Sequence, residues 1–133
     1  MLFAVKSIAL AVPFDTAFDY LADKMKLPEW TNAFAEVYDN GEALMRTPEG
    51  EIRVQLKDTL DRKLGIIDTK MTFPDNSVGY AYSRLIALSA SSCAYSFVLT
   101  PPPVALEKLE GALAEQAEIL GHELQTLKAN LEK

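Results

Sequence analysis

The chain has 133 residues, 49% of them hydrophobic and 24% charged, the size and balance of one globular domain spanning residues 1–133. Thirteen basic residues against nineteen acidic ones give a formal charge of −6, which repels phosphate backbones and anionic headgroups and argues against nucleic acid as a partner. A single cysteine, Cys93, excludes an intrachain disulfide, and a start without a basic flank and long apolar stretch points to the cytoplasm.

Residues Phe3 to Val12 are rich in Val, Ile, Leu and Ala and stop at Pro13, which predicts a first strand. The apolar stretch from Ile8 to Phe14 is about half of a bilayer span, so no membrane crossing is expected. Asp15 is the expected N-cap of a helix whose stripe is Phe14, Phe18, Leu21 and Ala22, and Leu27-Pro28-Glu29-Trp30 suits a short second helix. From Ala33 the period changes to two. Asn40-Gly41 predicts a tight hairpin with positive φ at both central positions, joining Phe34–Tyr38 to Ala43–Arg46. Thr47-Pro48-Glu49-Gly50 is a second reversal, leading into Ile52, Val54 and Leu56. Polar Asp58 to Lys63 reads as a loop; Leu64–Phe73, Val78–Leu88 and Cys93–Thr100 read as three long strands.

Pro101-Pro102-Pro103 ends the last strand, and leucines at 106, 109, 113, 120, 124, 127 and 131 then advance in helical steps. A helix over 103–131 would run roughly 40 Å, against ~35 Å for a ten-residue strand, long enough to lie across the whole concave face of the sheet. The expected fold is α+β: six or seven antiparallel strands, curved, closed by one long C-terminal helix, with two short helices after the first strand.

Specific residues carry a resemblance. Ile8-Ala9-Leu10-Ala11-Val12-Pro13-Phe14-Asp15 through Asp23, with Leu27-Pro28-Glu29-Trp30, resembles the opening of the START-like polyketide cyclase/dehydrase and lipid transport superfamily, whose fold is the helix-grip. Gly65-Ile66-Ile67-Asp68, Pro74-Asp75-Asn76-Ser77 and Ser83-Arg84-Leu85-Ile86 are similar to the central hairpin of its small bacterial members. The resemblance implies a cavity between sheet and helix for hydrophobic or aromatic molecules. It supplies no catalytic signature: relatives often carry Asp-His where this chain has Asp68-Thr69.

Alternation within Leu64–Phe73 points Gly65, Ile67, Thr69, Met71 and Phe73 inward. If the turn at 74–77 has four residues, Phe73 pairs with Val78, and Tyr80, Tyr82, Arg84 and Ile86 share that face with Cys93, Tyr95, Phe97 and Leu99. An odd turn would reverse every side chain. The candidate ligand-binding residues are therefore Trp30 and Phe34 at the mouth, and Thr69, Met71, Tyr80, Tyr82, Arg84 and Tyr95 along the wall. Arg84 has two readings: a buried guanidinium that recognises an acidic ligand, or a rim residue paired with a surface acid. Gly111 and Gly121, inside the helix, signal either room for a ligand or close strand, or simple tolerance.

One histidine, His122, and one cysteine make neither a zinc quartet nor a nucleophile triad, so neither metal nor cofactor is expected. Asp15, Asp19 and Asp23 share a helix face and read as solvated. Three functions stand open: binding of a hydrophobic small molecule, a cyclase or dehydratase acting through Tyr80, Tyr82 or Tyr95, and a protein-interaction module signalled by an apolar patch on the long helix.

Overall fold

A computed structural model describes residues 3–47, 50–100 and 109–133. The chain runs β1 (Ala4–Leu10), α1 (Phe14–Ala22), a 3₁₀ turn (Lys24–Lys26), α2 (Leu27–Trp30), β2 (Phe34–Val37), β3 (Glu42–Thr47), β4 (Gly50–Asp61), β5 (Ile66–Thr72), β6 (Val78–Ser89), β7 (Ser92–Leu99) and α3 (Leu109–Leu131). The seven strands form one antiparallel sheet in the order β1-β7-β6-β5-β4-β3-β2. Its β2–β3 and β6–β7 pairings are each broken by a register shift, the kind of irregularity that bends a strand. Proline 48, glutamate 49, the triple proline at 101–103, Leu106 and the expected helix start at 103 lie outside the described residues. Among the described residues, no helix is long and apolar enough to cross a membrane.

Several local expectations change. Asp15 does not cap α1; Pro13 holds that position and its carbonyl accepts from the Ala17 N–H at 3.1 Å, which leaves Asp15 in the first turn, where its charge suits the helix dipole. Asp23 is the residue that caps, accepting from the Met25 N–H at 3.0 Å to start the 3₁₀ turn. The Asn40-Gly41 turn uses positive φ only at Gly41 (+91°), because the loop has three residues: Tyr38 N–H bonds to the Glu42 carbonyl, and Gly41 N–H to that of Tyr38. Asp58 to Asp61 belong to β4, where pairing with β5 as far as Asp61↔Ile66 outweighs their polarity.

Two apolar clusters occupy the inner side. The larger joins α1 (Phe18, Leu21), Trp30, Leu10, Ile67, Leu85, Cys93 and Tyr95 to Leu120, Leu124 and Leu127 of α3. The smaller, at the β2 end, holds Val37, Ala43, Val54 and Leu56. Among the described residues the nearest contacts of α3 are with β1, α2 and β7, and its leucines 120, 124 and 127 share the larger cluster with Ile67 of β5 and Leu85 of β6, so the long helix packs on the sheet as expected. Side chains pin it there: Lys128 Nζ donates to the Ala9 carbonyl (3.0 Å), Ala11 N–H to Glu132 (2.8 Å), and Asn130 Nδ2 to the Glu29 carbonyl (3.1 Å). Among the described residues a Cβ at Gly111 or Gly121 would meet nothing within 4 Å, so none of the described strands approaches closely at either glycine.

Candidate functional site

The wall of the concave face is set by one turn. Thr72 pairs with Val78, which leaves the five residues 73–77 between strands, an odd number where four were expected. Phe73 joins the turn by exchanging bonds with Ser77 and Asn76, and Asn76 takes φ +69°. Asp75 fastens it by accepting from both the hydroxyl and N–H of Ser77, contacts that hold its carboxyl below the usual carboxylate range. The whole of β6 is thereby reversed relative to the sequence expectation. Leu85 and Ser83 face inward, each 2% exposed, while Tyr80, Tyr82, Arg84 and Ile86 lie on the outer face.

Over residues 79–83 the inner surface of β6 is therefore made of small residues, Gly79, Ala81 and Ser83, in place of two tyrosines and an arginine. Ser83 donates to the Ile67 carbonyl at 2.5 Å. Tyr95 faces inward as expected and is buried against Trp30, edge to face at 6.3 Å; burial pushes its phenol well above the ordinary tyrosine value. The Trp30 indole N–H is buried without an acceptor among the described residues. Thr69 and Met71 are half-buried on the inner face; the Thr69 hydroxyl donates to Asp58 at 2.8 Å, and Met71 packs with Phe34 on the smaller cluster. Arg84 follows its second reading, pairing with Asp68 at 2.6 Å on the outer face.

A hollow of about 580 Å³ opens beside this wall, between the corner at Ala22–Met25, the turn at Asp39–Gly41 and the Leu56–Leu60 stretch of β4. Its volume is in the range of small-molecule sites. Leu56 and Leu60 contribute apolar side chains from β4, and Met25 faces them from the 3₁₀ turn; Leu56 is buried, whereas Leu60 and Met25 are 44% and 47% exposed and together border one space. Asp23, Asp39 and Asp58, with Lys24 and Lys57, give it a mixed-charge lining. Gly41 brings the turn against β4: its carbonyl accepts from Leu56 N–H at 2.8 Å, and a Cβ there would lie 2.7 Å from Gln55 Nε2. None of the sequence-predicted site residues lines this hollow, although Thr69 orients Asp58 within it. The period-two set Leu56, Asp58, Leu60 is the signal in the sequence, masked by the polarity of the Asp58–Lys63 segment.

Among the described residues no group of three or more His, Cys, Asp or Glu side chains is placed to hold a metal. Of the row Asp15, Asp19 and Asp23, the first two grip Arg62, whose guanidinium also lies 4.6 Å over the Phe18 ring, tying α1 to the β4–β5 turn.

No family model matches the sequence, and no curated protein matches it. Solved structures do match along its length. The protein XoxI from Bacillus cereus superposes with a TM-score of 0.73 at 12% identity, over 100% of this chain and 97% of that one. A START superfamily protein from Mycobacterium smegmatis gives 0.66 at 13%, over 98% and 97%. The chain has the START-like fold. The Zhui aromatase/cyclase from Streptomyces sp. R1128 shares it, with a TM-score of 0.68 at 14% identity over 98% of this chain and 93% of its own. At such identities the START-like likeness describes architecture, and the chemistry has to come from the residues.

Proposed function

We propose that the chain binds a hydrophobic or aromatic small molecule on the concave side of its sheet, in the hollow between the Ala22–Met25 corner and β4. The observation that carries this reading is the pair Leu60 and Met25, large apolar side chains left about half uncovered across an open space of about 580 Å³. The START-like fold, which the chain shares with an aromatase/cyclase, is in keeping with a small-molecule ligand.

The catalytic alternative fares worse on its own residues. Tyr80 and Tyr82 lie on the opposite face from the hollow, and Tyr95 is fully enclosed. Burial pushes the Tyr95 phenol above the ordinary tyrosine value, which disfavours the phenolate that a general base would need. An interaction role signalled by α3 also lacks support: Ile119 is the one exposed large apolar side chain on that helix among the described residues.

Titration with the neutral fluorophore N-phenyl-1-naphthylamine tests the reading. Binding is expected for the native protein, and Leu60→Asp, at a position open enough to leave folding intact, should weaken it about tenfold or more, since covering a leucine is worth ~1.5–3 kcal/mol. Equal affinity in the variant would remove the hollow from the function.

A further inference from the structure

The outer face carries a feature that the concave hollow leaves unexplained. Lys57 on β4 pairs in register with Lys70 on β5, and Lys70 in turn with Tyr80 on β6, so two ammonium groups and a phenol share one cross-strand row. Like charges directly opposite on a sheet repel. Lysines on sheet edges are commonplace, because they discourage edge-to-edge pairing. These two lie elsewhere: β5 is the central strand of the seven and β4 its neighbour. Neither lysine belongs to an ion pair among the described residues. Asp68, the carboxylate bordering the same depression, is already committed to Arg84 Nη1 at 2.6 Å and to the Ser83 N–H at 3.2 Å.

Beside the lysines the rings of Tyr80 and Tyr82 stack at 5.6 Å with an 11° angle between planes, and remain 47% and 37% exposed. Lys57, Lys70, Thr59 and the two tyrosines enclose a depression of about 300 Å³ on this face. A stacked pair of partly exposed aromatic rings and two lysines outside any ion pair among the described residues converge on one space, in a molecule whose overall charge is −6.

We propose that this depression is a second ligand site, for a planar aromatic anion whose ring lies against the Tyr80–Tyr82 stack and whose carboxylate or phosphate group is held between Lys57 and Lys70. The two parts of the ligand answer the two parts of the site: aromatic surface for the exposed phenol rings, and anionic oxygens for ammonium groups that otherwise only repel each other. The surplus of acids over the rest of the chain disfavours long polyanions, which selects a small ligand over a nucleic acid strand.

The site is independent of the concave hollow through Lys70, Tyr80 and Tyr82, none of which lines that hollow; Lys57 borders both and is left untouched in the test. Amide chemical shifts of the labelled protein are followed during titration with 1-naphthyl phosphate and 1-naphthoate, with 1-naphthol and inorganic phosphate as half-ligands. Both aryl anions are expected to move amides of the Lys57, Lys70 and Tyr80 row, and each half-ligand should bind about tenfold more weakly or worse. Lys70→Met should cost about tenfold in affinity, Lys70→Arg should restore most of it, and Tyr80→Ala should weaken the aryl anions without affecting inorganic phosphate. The proposal is overturned if 1-naphthol binds as well as 1-naphthyl phosphate, if Lys70→Met is without effect, or if the shifts map to Met25 and Leu60. Tighter binding of a short single-stranded oligonucleotide than of either aryl anion would also overturn it.

Discussion

Gly65 shows how a single residue can set the geometry of the central sheet. It takes φ +69° in the turn between β4 and β5, its carbonyl accepts from the Leu85 N–H at 2.9 Å, and a Cβ added to it would lie 1.9 Å from the Leu85 carbonyl oxygen. Backbone against backbone leaves nothing flexible to move aside. Gly65→Ala should therefore destabilise the protein by at least about 2 kcal/mol, through both the left-handed conformation and the collision, as read from urea unfolding midpoints. Gly50, also at positive φ (+121°) but with open space around its Cβ position, is the control: substitution there meets only the conformational cost.

At the scale of elements, α3 is anchored by two glutamates that titrate in opposite senses. Burial pushes the Glu123 carboxyl above the ordinary glutamate value, although it accepts from the Asn32 and Ala33 amides. The Ala11 amide and Lys128 hold the Glu132 carboxyl below it. The signs follow from linkage. Glu123 binds its proton more tightly in the folded chain, so its contribution is complete below the ordinary glutamate value and is lost as pH rises through the elevated one. Glu132 releases its proton more readily when folded, so its contribution is present above the ordinary value and is lost as pH falls through the depressed one. Unfolding midpoints across the acid-to-neutral range should show that Glu123→Gln removes a loss of stability on the rising side, while Glu132→Gln removes one on the falling side. Variants with the same pH profile as the native protein would contradict both assignments.

For the molecule as a whole, the architecture was legible in the sequence and the facing of β6 was not. Alternation in Ile8, Leu10, Cys93 and Tyr95, the proline opening α2 and the leucine steps of α3 all report local periodicity, and the structure preserves them. The orientation of β6 depended on whether Phe73 belonged to a strand or to the turn, a matter of hydrogen bonds between neighbours that the pattern of apolar residues does not record. The apolar count itself favoured the wrong side: Tyr80, Tyr82, Ile86 and Leu88 outnumber Leu85 in bulk, yet it is Leu85 that meets the buried core. The hollow draws on residues 22–25, 39–41 and 56–60, three segments brought together only by the fold, and the alternation of Leu56, Asp58 and Leu60 is its one local trace.

The buried thiol of Cys93 has a practical consequence at this same scale. It is fully enclosed where β7 pairs with Leu10 of β1, its sulfur lies 3.5 Å from the Val12 carbonyl oxygen, and burial raises its pKa. As the chain's sole cysteine it is a built-in clock: a thiol reagent can reach it only when the elements packed over the inner face draw away or the whole molecule opens. Modification should be slow in the native protein and should accelerate in step with unfolding as urea is added, and labelling as fast as that of a free thiol would mean that the packing over the inner face of the last strand stands open.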